Sequence, residues 1–483
     1  MHRALAVPEL LRMILDHTGG EQPYLPALLA FALTCHAFLE PALDIIWHFQ
    51  NGLGHLVECL PEKFWEASES AHSPALMPRK PDKHTTPQDW ERFDFYGRRV
   101  RELQCGPSRS LGHMSRAISD ALFSWLVSSR PHYPLLPTLR KLIWTESRTY
   151  GYFGSAQLFF GQQLSVLNIE KRRPSSKYSS NIITPTLQHL PRRSPDVREL
   201  TIYVVDGSMD NNQPDPFPDK AFASLQRLES LTLMTSMPMS FSNLADLATL
   251  PHLAKLHFKA VFNSLLSAVP STAVHANTGR LTFPSLSTLS LQSVSMGSSV
   301  EFLSACRLPT LKTAFINSNA ATDPATIGRV LQLLRERCSP SVLEEIDVTS
   351  GLDADIEGEG AQVVTMESLR HLCEFRRLRS FNLLTEMCIV LDDDAVRELA
   401  MSWPRLERLE FWCTAIHPWG HPTATTLQGL AHFARYCPLL ASLMIDVNTS
   451  GTDVSLHERP GGGCCNRALR SIDFGQSPLW ETP

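Results

Sequence analysis

The chain has 483 residues, 43% hydrophobic and 19% charged, which is enough apolar material to fold and excludes global disorder. Its formal net charge is −5, from 44 basic and 49 acidic residues, so no overall basic field is offered to a nucleic acid backbone. One ordinary core does not grow to this length, so the core must be divided or repetitive.

Residues 1–60 read as short helices. "ALAVPELLRMILDH" puts Val7, Leu10, Leu11, Ile14 and Leu15 on one helical face, with Pro8 in the first turn where its missing N–H costs nothing. "LPALLAFALTCHAFLEPALDIIW" adds Leu28, Leu29, Leu33, Phe38, Leu43 and Trp47. Glu9, Arg12 and Asp16 break any signal-like run, and Pro26, His36, Glu40 and Pro41 break the most apolar stretch, so no membrane segment is expected. Helices this few cannot enclose a large core, and some apolar surface should be left for a partner.

Residues 61–98 read as a joint: "SESAHSPALMPRKPDKHTTPQ" is polar and proline-rich. Trp90, Phe93 and Tyr96 follow at about three-residue spacing and are expected to pack the end of this linker onto the next domain.

Residues 99–475 repeat one phrase, as in "LPHLAKLHFKAV", "FPSLSTLSLQSV" and "WPRLERLEFWCTAI". Its first apolar position falls at Val100, Leu139, Leu164, Val197, Leu228, Leu253, Leu286, Leu311, Leu343, Leu378, Leu406, Leu440 and Leu469. The mean spacing is about 31 residues. Positions 3 to 7 read as a short strand, with positions 4 and 6 pointing to the core and 3, 5 and 7 to the other face. Proline often precedes the phrase, where a missing ladder donor does no harm. Helical patterns lie between strands, as in "DDDAVRELAMSWP", whose acids suit a helix N-terminus. Such a unit buries its apolar face only by stacking on its neighbours.

The expected fold class is α/β: a small all-helical N-terminal domain, then a solenoid with a curved parallel sheet inside and helices outside. Residues 476–483 form a tail. The open strand face offers Lys255, His257 and Lys259, then Glu345 and Asp347, then Arg408 and Glu410. Tyr203, Phe315 and Trp412 are aromatics where a wet face is ordinarily polar, and with Lys255, His257 and Lys259 they are the candidate contacts to a partner.

No reactive constellation stands out. The 11 cysteines contain no CxxC pair and read as reduced thiols, with Cys338 and Cys437 as core residues at helix ends. His417 and His421 read as loop decoration, "GLDADIEGEGAQ" lacks the calcium-loop pattern, and "KRRPSSKYSSN" reads as a solvated basic loop. No catalytic residue, metal or cofactor is expected, nor a nucleic-acid or membrane partner.

Residues 100–475 resemble leucine-rich repeats of the long irregular form, although the asparagine many of them carry after the strand is mostly missing. The stretch Pro8-Glu9-Leu10-Leu11, Ile14, Leu28-Leu29, Leu33 to Phe38 and Trp47 resembles an F-box. The whole is similar to the F-box/leucine-rich-repeat proteins of fungi. That resemblance implies a non-catalytic substrate receptor of an SCF-type cullin–RING ubiquitin ligase, cytoplasmic or nuclear. Pro8, Leu10, Leu11, Ile14, Leu29, Leu33 and Phe38 would form or support the surface for a Skp-type adaptor, and the repeats would hold a protein substrate. The alternative is a repeat scaffold outside any ligase, its helices serving only as the solenoid's N-terminal cap.

Overall fold

The computed structural model describes residues 13, 25–68, 75–79, 85–106, 117–130, 134–145, 153–171, 180–204, 217–218, 220, 221–235, 237–260, 281–293, 295–351, 363–413, 424–449, 463–475 and 477. The chain divides into two compact units, Met1–Gln213 with Ser224–Leu228, and Pro214–Ala223 with Glu229–Pro483.

In the first unit the inner sheet has five strands: β1 (Phe49–Asn51), β2 (Glu102–Cys105), β3 (Lys141–Thr145), β4 (Val166–Lys171) and β5 (Glu199–Val204). Each pairs in parallel with the next. The second unit continues the pattern with β6 (Ser230–Met234), β7 (Lys255–Ala260), β8 (Thr288–Ser293), β9 (Thr313–Ser318), β10 (Glu345–Ser350), β11 (Ser380–Thr385), β12 (Arg408–Cys413), β13 (Ser442–Met444) and β14 (Ser471–Asp473). Parallel neighbours in sequence order, without a shift of register, define a leucine-rich-repeat solenoid.

The period-two reading accounts for the core. Leu256 and Phe258, Leu289 and Leu291, and Leu409 and Phe411 are all buried. Each such side chain contributes about 1.5–3 kcal/mol of burial, repeated from strand to strand. The helices close the other side. Pro324–Arg337 buries Ile327, Val330, Leu331 and Leu334, and Asp323 caps it by accepting the Thr326 N–H at 2.9 Å. Asp392 caps Asp393–Ser402 by accepting the Ala395 N–H at 2.7 Å. The last repeats are less covered: Leu427, Leu469 and Ile472 are exposed.

The missing asparagine has a substitute. The residue ending each central strand is buried and small: Ser293, Ser318, Ser350, Thr385 and Cys413. Next to Thr385, the buried Glu386 accepts the Thr322 N–H at 2.7 Å and the Ser350 hydroxyl at 2.9 Å. One carboxylate therefore ties the loop after β9 to the ends of β10 and β11, where a row of side-chain amides would otherwise do so.

The sheet starts earlier than the repeat phrase implies. The segment expected to be wholly helical also supplies β1, which pairs with β2 through Phe49–Glu102, Gln50–Leu103 and Asn51–Gln104. A strand of three residues is too short to show alternation. The segment expected to be a linker also carries structure. Trp65–Ala67 pairs antiparallel with Ala75–Pro78, and the helix Pro87–Gly97 starts with a Thr86–Asp89 capping box. Trp90 and Phe93 are buried, and Trp90 stacks on Trp125 at 6.3 Å, but Tyr96, expected to pack the same way, stacks instead on Trp47 of the preceding helices.

Candidate partner-binding surfaces

Two helices lead into β1: α1 (Leu25–Ala32) and α2 (His36–His48). They pack through a small core in which Leu28 and Phe38 are buried and Phe31 stacks on Phe38 at 4.2 Å. Leu29 of α1 and Leu33, one residue past its end, are left outside, 46% and 84% exposed. Of the sequence-derived adaptor candidates, Leu29 and Leu33 are thus surface groups, whereas Phe38 is buried in the small core with Leu28. Pro8, Leu10, Leu11 and Ile14 lie outside the described residues.

The helices are held to the first strands by a polar clamp. The Arg99 guanidinium, nearly buried, donates to Asp44 and Glu40 of α2. Trp47 stacks on Tyr96 at 4.5 Å, Arg99 lies 4.7 Å from the Phe95 ring centre, and the Arg101 N–H donates to the His48 carbonyl at 2.9 Å. The sequence gives no local sign of this clamp, because its partners are 55 and 59 residues apart.

The second surface is the inner face of the sheet. Tyr203 is 39% exposed on β5 of the first unit, beside Glu170 in register. In the second unit the register brings side chains into rows. One row runs His257, Ser290, Phe315, Asp347, Asn382, Glu410, Met444 and Asp473. The row on one side of it holds Lys255 and Glu345, and the row on the other holds Lys259, Leu384 and Trp412. Lys255 and Lys259 are exposed and His257 is half-buried. Burial and the Lys255 charge hold the His257 imidazole below its usual range, so the lysines carry the positive charge of this strand at neutral pH. Phe315 and Trp412 are 39% and 42% exposed. Asp347 accepts from Thr349 at 3.2 Å and from Asn382 at 3.1 Å, which fixes its carboxylate on the face. Arg408 lies 3.7 Å from Glu410 and offsets part of the acidic charge there.

Burial pushes the Cys338 and Cys437 thiols up to about 12, opposite to what thiolate chemistry requires. No group of three or more metal-ligating side chains occurs among the described residues, and no helix among them is long and apolar enough to cross a membrane. His417, His421, residues 352–362 and residues 172–179 of the basic loop lie outside the described residues; Lys171 is buried at the end of β4.

No family model matches the chain, and no curated protein sequence matches it. Among solved structures it is similar to an internalin from Listeria monocytogenes, at 14% identity and TM-score 0.33 over 85% of this chain and 88% of that one. It is similar to a leucine-rich-repeat protein of Leptospira interrogans, at 12% identity and TM-score 0.28 over 76% and 88%. A plant peptide hormone receptor, RGFR1 in complex with RGF2, aligns at 12% identity and TM-score 0.27 over 74% of this chain and 56% of the receptor. These scores carry no functional weight, and the solenoid assignment rests on the strand register itself.

Proposed function

We propose that the chain is a substrate receptor of an SCF-type cullin–RING ubiquitin ligase. In this reading α1 and α2 help dock a Skp-type adaptor and the repeats hold a protein substrate, without catalysis by this chain. The observation that carries it is the exposed pair Leu29 and Leu33, set on helices whose sequence resembles an F-box and which lead directly into a repeat sheet. Apolar side chains bared on a small helical unit are what a partner interface needs. Proximity is all such a receptor supplies, and the partner machinery performs the transfer.

The test is co-purification of the full chain with a purified Skp-type adaptor. Leu29→Asp with Leu33→Asp, and separately Leu10→Asp with Leu11→Asp, should abolish binding by placing charge on the docking face. Circular dichroism of each variant checks that it is folded. A second reading has its own support: α2 runs into the edge strand β1, as the cap of a solenoid would. A folded wild-type chain that ignores the adaptor establishes that reading, a scaffold with capped repeats.

A further inference from the structure

The inner face of the second unit is electrically polar along the solenoid. Its positive end is Lys255 and Lys259 on β7. Its negative patch begins three strands on, at Glu345 and Asp347 of β10. Between them β8 presents only Thr288, Ser290 and Gln292, and β9 presents Thr313, Phe315 and Asn317. Phe315 therefore separates the two charge clusters, in the same row as His257 and Asp347. Beyond the acids, Leu384 and Trp412 are register neighbours on β11 and β12. Isolated aromatics on a sheet often serve only their neighbours. An exposed aromatic between opposite charges, followed by a second apolar pair, is a surface patterned for a partner.

We propose that this face binds an extended peptide segment of the partner protein with an acidic residue over Lys255 and Lys259, an apolar residue against Phe315, a basic residue over Glu345 and Asp347, and a second apolar residue against Leu384 and Trp412. The proposal deepens the substrate-receptor reading and rests on the repeats being the part that holds the substrate. Spacing follows from two periods. Neighbouring strands are about 4.8 Å apart, and an extended chain advances about 3.3 Å per residue. From β7, Phe315 is two strands away, which is about three residues of peptide. Asp347 is three strands away, about four residues, and Leu384 and Trp412 are four and five strands away, about six to seven. The segment then reads acidic, two free positions, apolar, basic, one or two free positions, apolar. Long-range charge complementarity fixes the order in which it lies along the array, and the apolar residues supply the anchoring.

The test is selection of a random dodecapeptide display library on the full wild-type chain, on Lys255→Glu/Lys259→Glu and on Glu345→Lys. These are exposed side chains, so the variants should fold, and circular dichroism checks it. Enriched wild-type peptides should carry the acidic, apolar, basic and apolar residues at the spacing above. The lysine reversal should turn the acidic preference basic while leaving the other positions unchanged, and Glu345→Lys should weaken only the basic preference. Each selected peptide should lose about tenfold or more in affinity on the variant that opposes it. The proposal falls if no peptide is enriched, or if the charge preferences survive both reversals. If peptides are enriched without charge preference but are lost in Phe315→Ala/Trp412→Ala, the inner face still binds peptide and only the charge pattern is wrong. Adaptor binding at α1 is measured independently, so its failure sinks the ligase reading and leaves this result standing.

Discussion

Glu386 accepts the backbone N–H of Thr322 at 2.7 Å although the two are 64 residues apart. The same carboxylate takes the Ser350 hydroxyl at 2.9 Å, so it links three points of the second unit. Its burial makes the link expensive to break, because removing the carboxylate leaves a buried donor unsatisfied. Glu386→Ala should lower the stability of the chain by about 2–3 kcal/mol. Denaturant unfolding, followed by the tryptophan fluorescence of the second unit, measures this; a loss below the error of extrapolation contradicts it.

Gly351 explains why that carboxylate fits. Its φ of +62° suits glycine, and an added Cβ would stand 2.3 Å from Glu386 Oε2. Gly351→Ala should be destabilising by about 1–3 kcal/mol. The clash disappears when Glu386 is already alanine, so the double variant should lose clearly less than the two single losses added. Simple additivity in a double-mutant cycle would show that the two residues do not share one site.

Arg99 should govern the attachment of α2. Its side chain bonds Glu40 and Asp44 while nearly buried, and Arg99→Met keeps the apolar stem but removes both charge-assisted bonds. The expected result is faster amide exchange in α2 and β1, by about tenfold, with little change in β10 to β12. Equal acceleration in both units would mean that Arg99 acts on global stability and not on the clamp.

Thiol reactivity separates the cysteines. Cys464 and Cys465 are exposed, whereas Cys306, Cys338 and Cys437 are buried. The buried Cys437 thiol donates weakly to the Ala400 carbonyl at 3.4 Å. Iodoacetamide at pH 8 should label Cys464 and Cys465 in the native chain within minutes and spare the buried three until denaturant is added. Peptide mapping by mass spectrometry reads this directly, and native labelling of Cys437 would contradict the core packing.

Acid should weaken the capped helices. The Lys63 side chain at 2.6 Å, helped by the Thr86 N–H, holds the Asp89 carboxyl below its usual range. The hydroxyl and then the N–H of Thr326 do the same for Asp323. Both folded values lie below the unfolded value of about 3.9, so their stabilisation is fully present above about pH 5 and is lost as pH falls through the folded values. The melting temperature should therefore drop more steeply below about pH 4 in wild type than in Asp89→Asn/Asp323→Asn. Parallel acid profiles would contradict the assignment.

The solenoid was legible because positions 4 and 6 must be apolar in every unit. Leu289 and Leu291 announce themselves to a period-two reading, and Asp392 to the acidic start of a helical pattern. The last position of the strand was not legible, because serine, threonine and cysteine there look like ordinary turn residues until burial is known. Glu386 was missed for the same reason: an acidic residue after a strand normally reads as solvent-exposed. The strand β1 escaped through its brevity, and the Arg99 clamp through its sequence separation. On the inner face the individual residues could be listed from sequence, but only the register puts Phe315 in one row with His257 and Asp347 and sets Trp412 one row aside.

That register also makes distance on the inner face a counting problem. Each repeat contributes one residue to each row, so Lys255 and Glu345 are separated by a whole number of strands. Gain or loss of one repeat between them would change their separation by one step of about 4.8 Å and leave every other row relationship intact. A lineage could therefore retune the length of the segment proposed to bind here by duplicating a unit, with no new side chain at either end. Point substitutions would instead alter which residue is preferred at a fixed spacing. Length and chemical identity are thus separately heritable properties of this face.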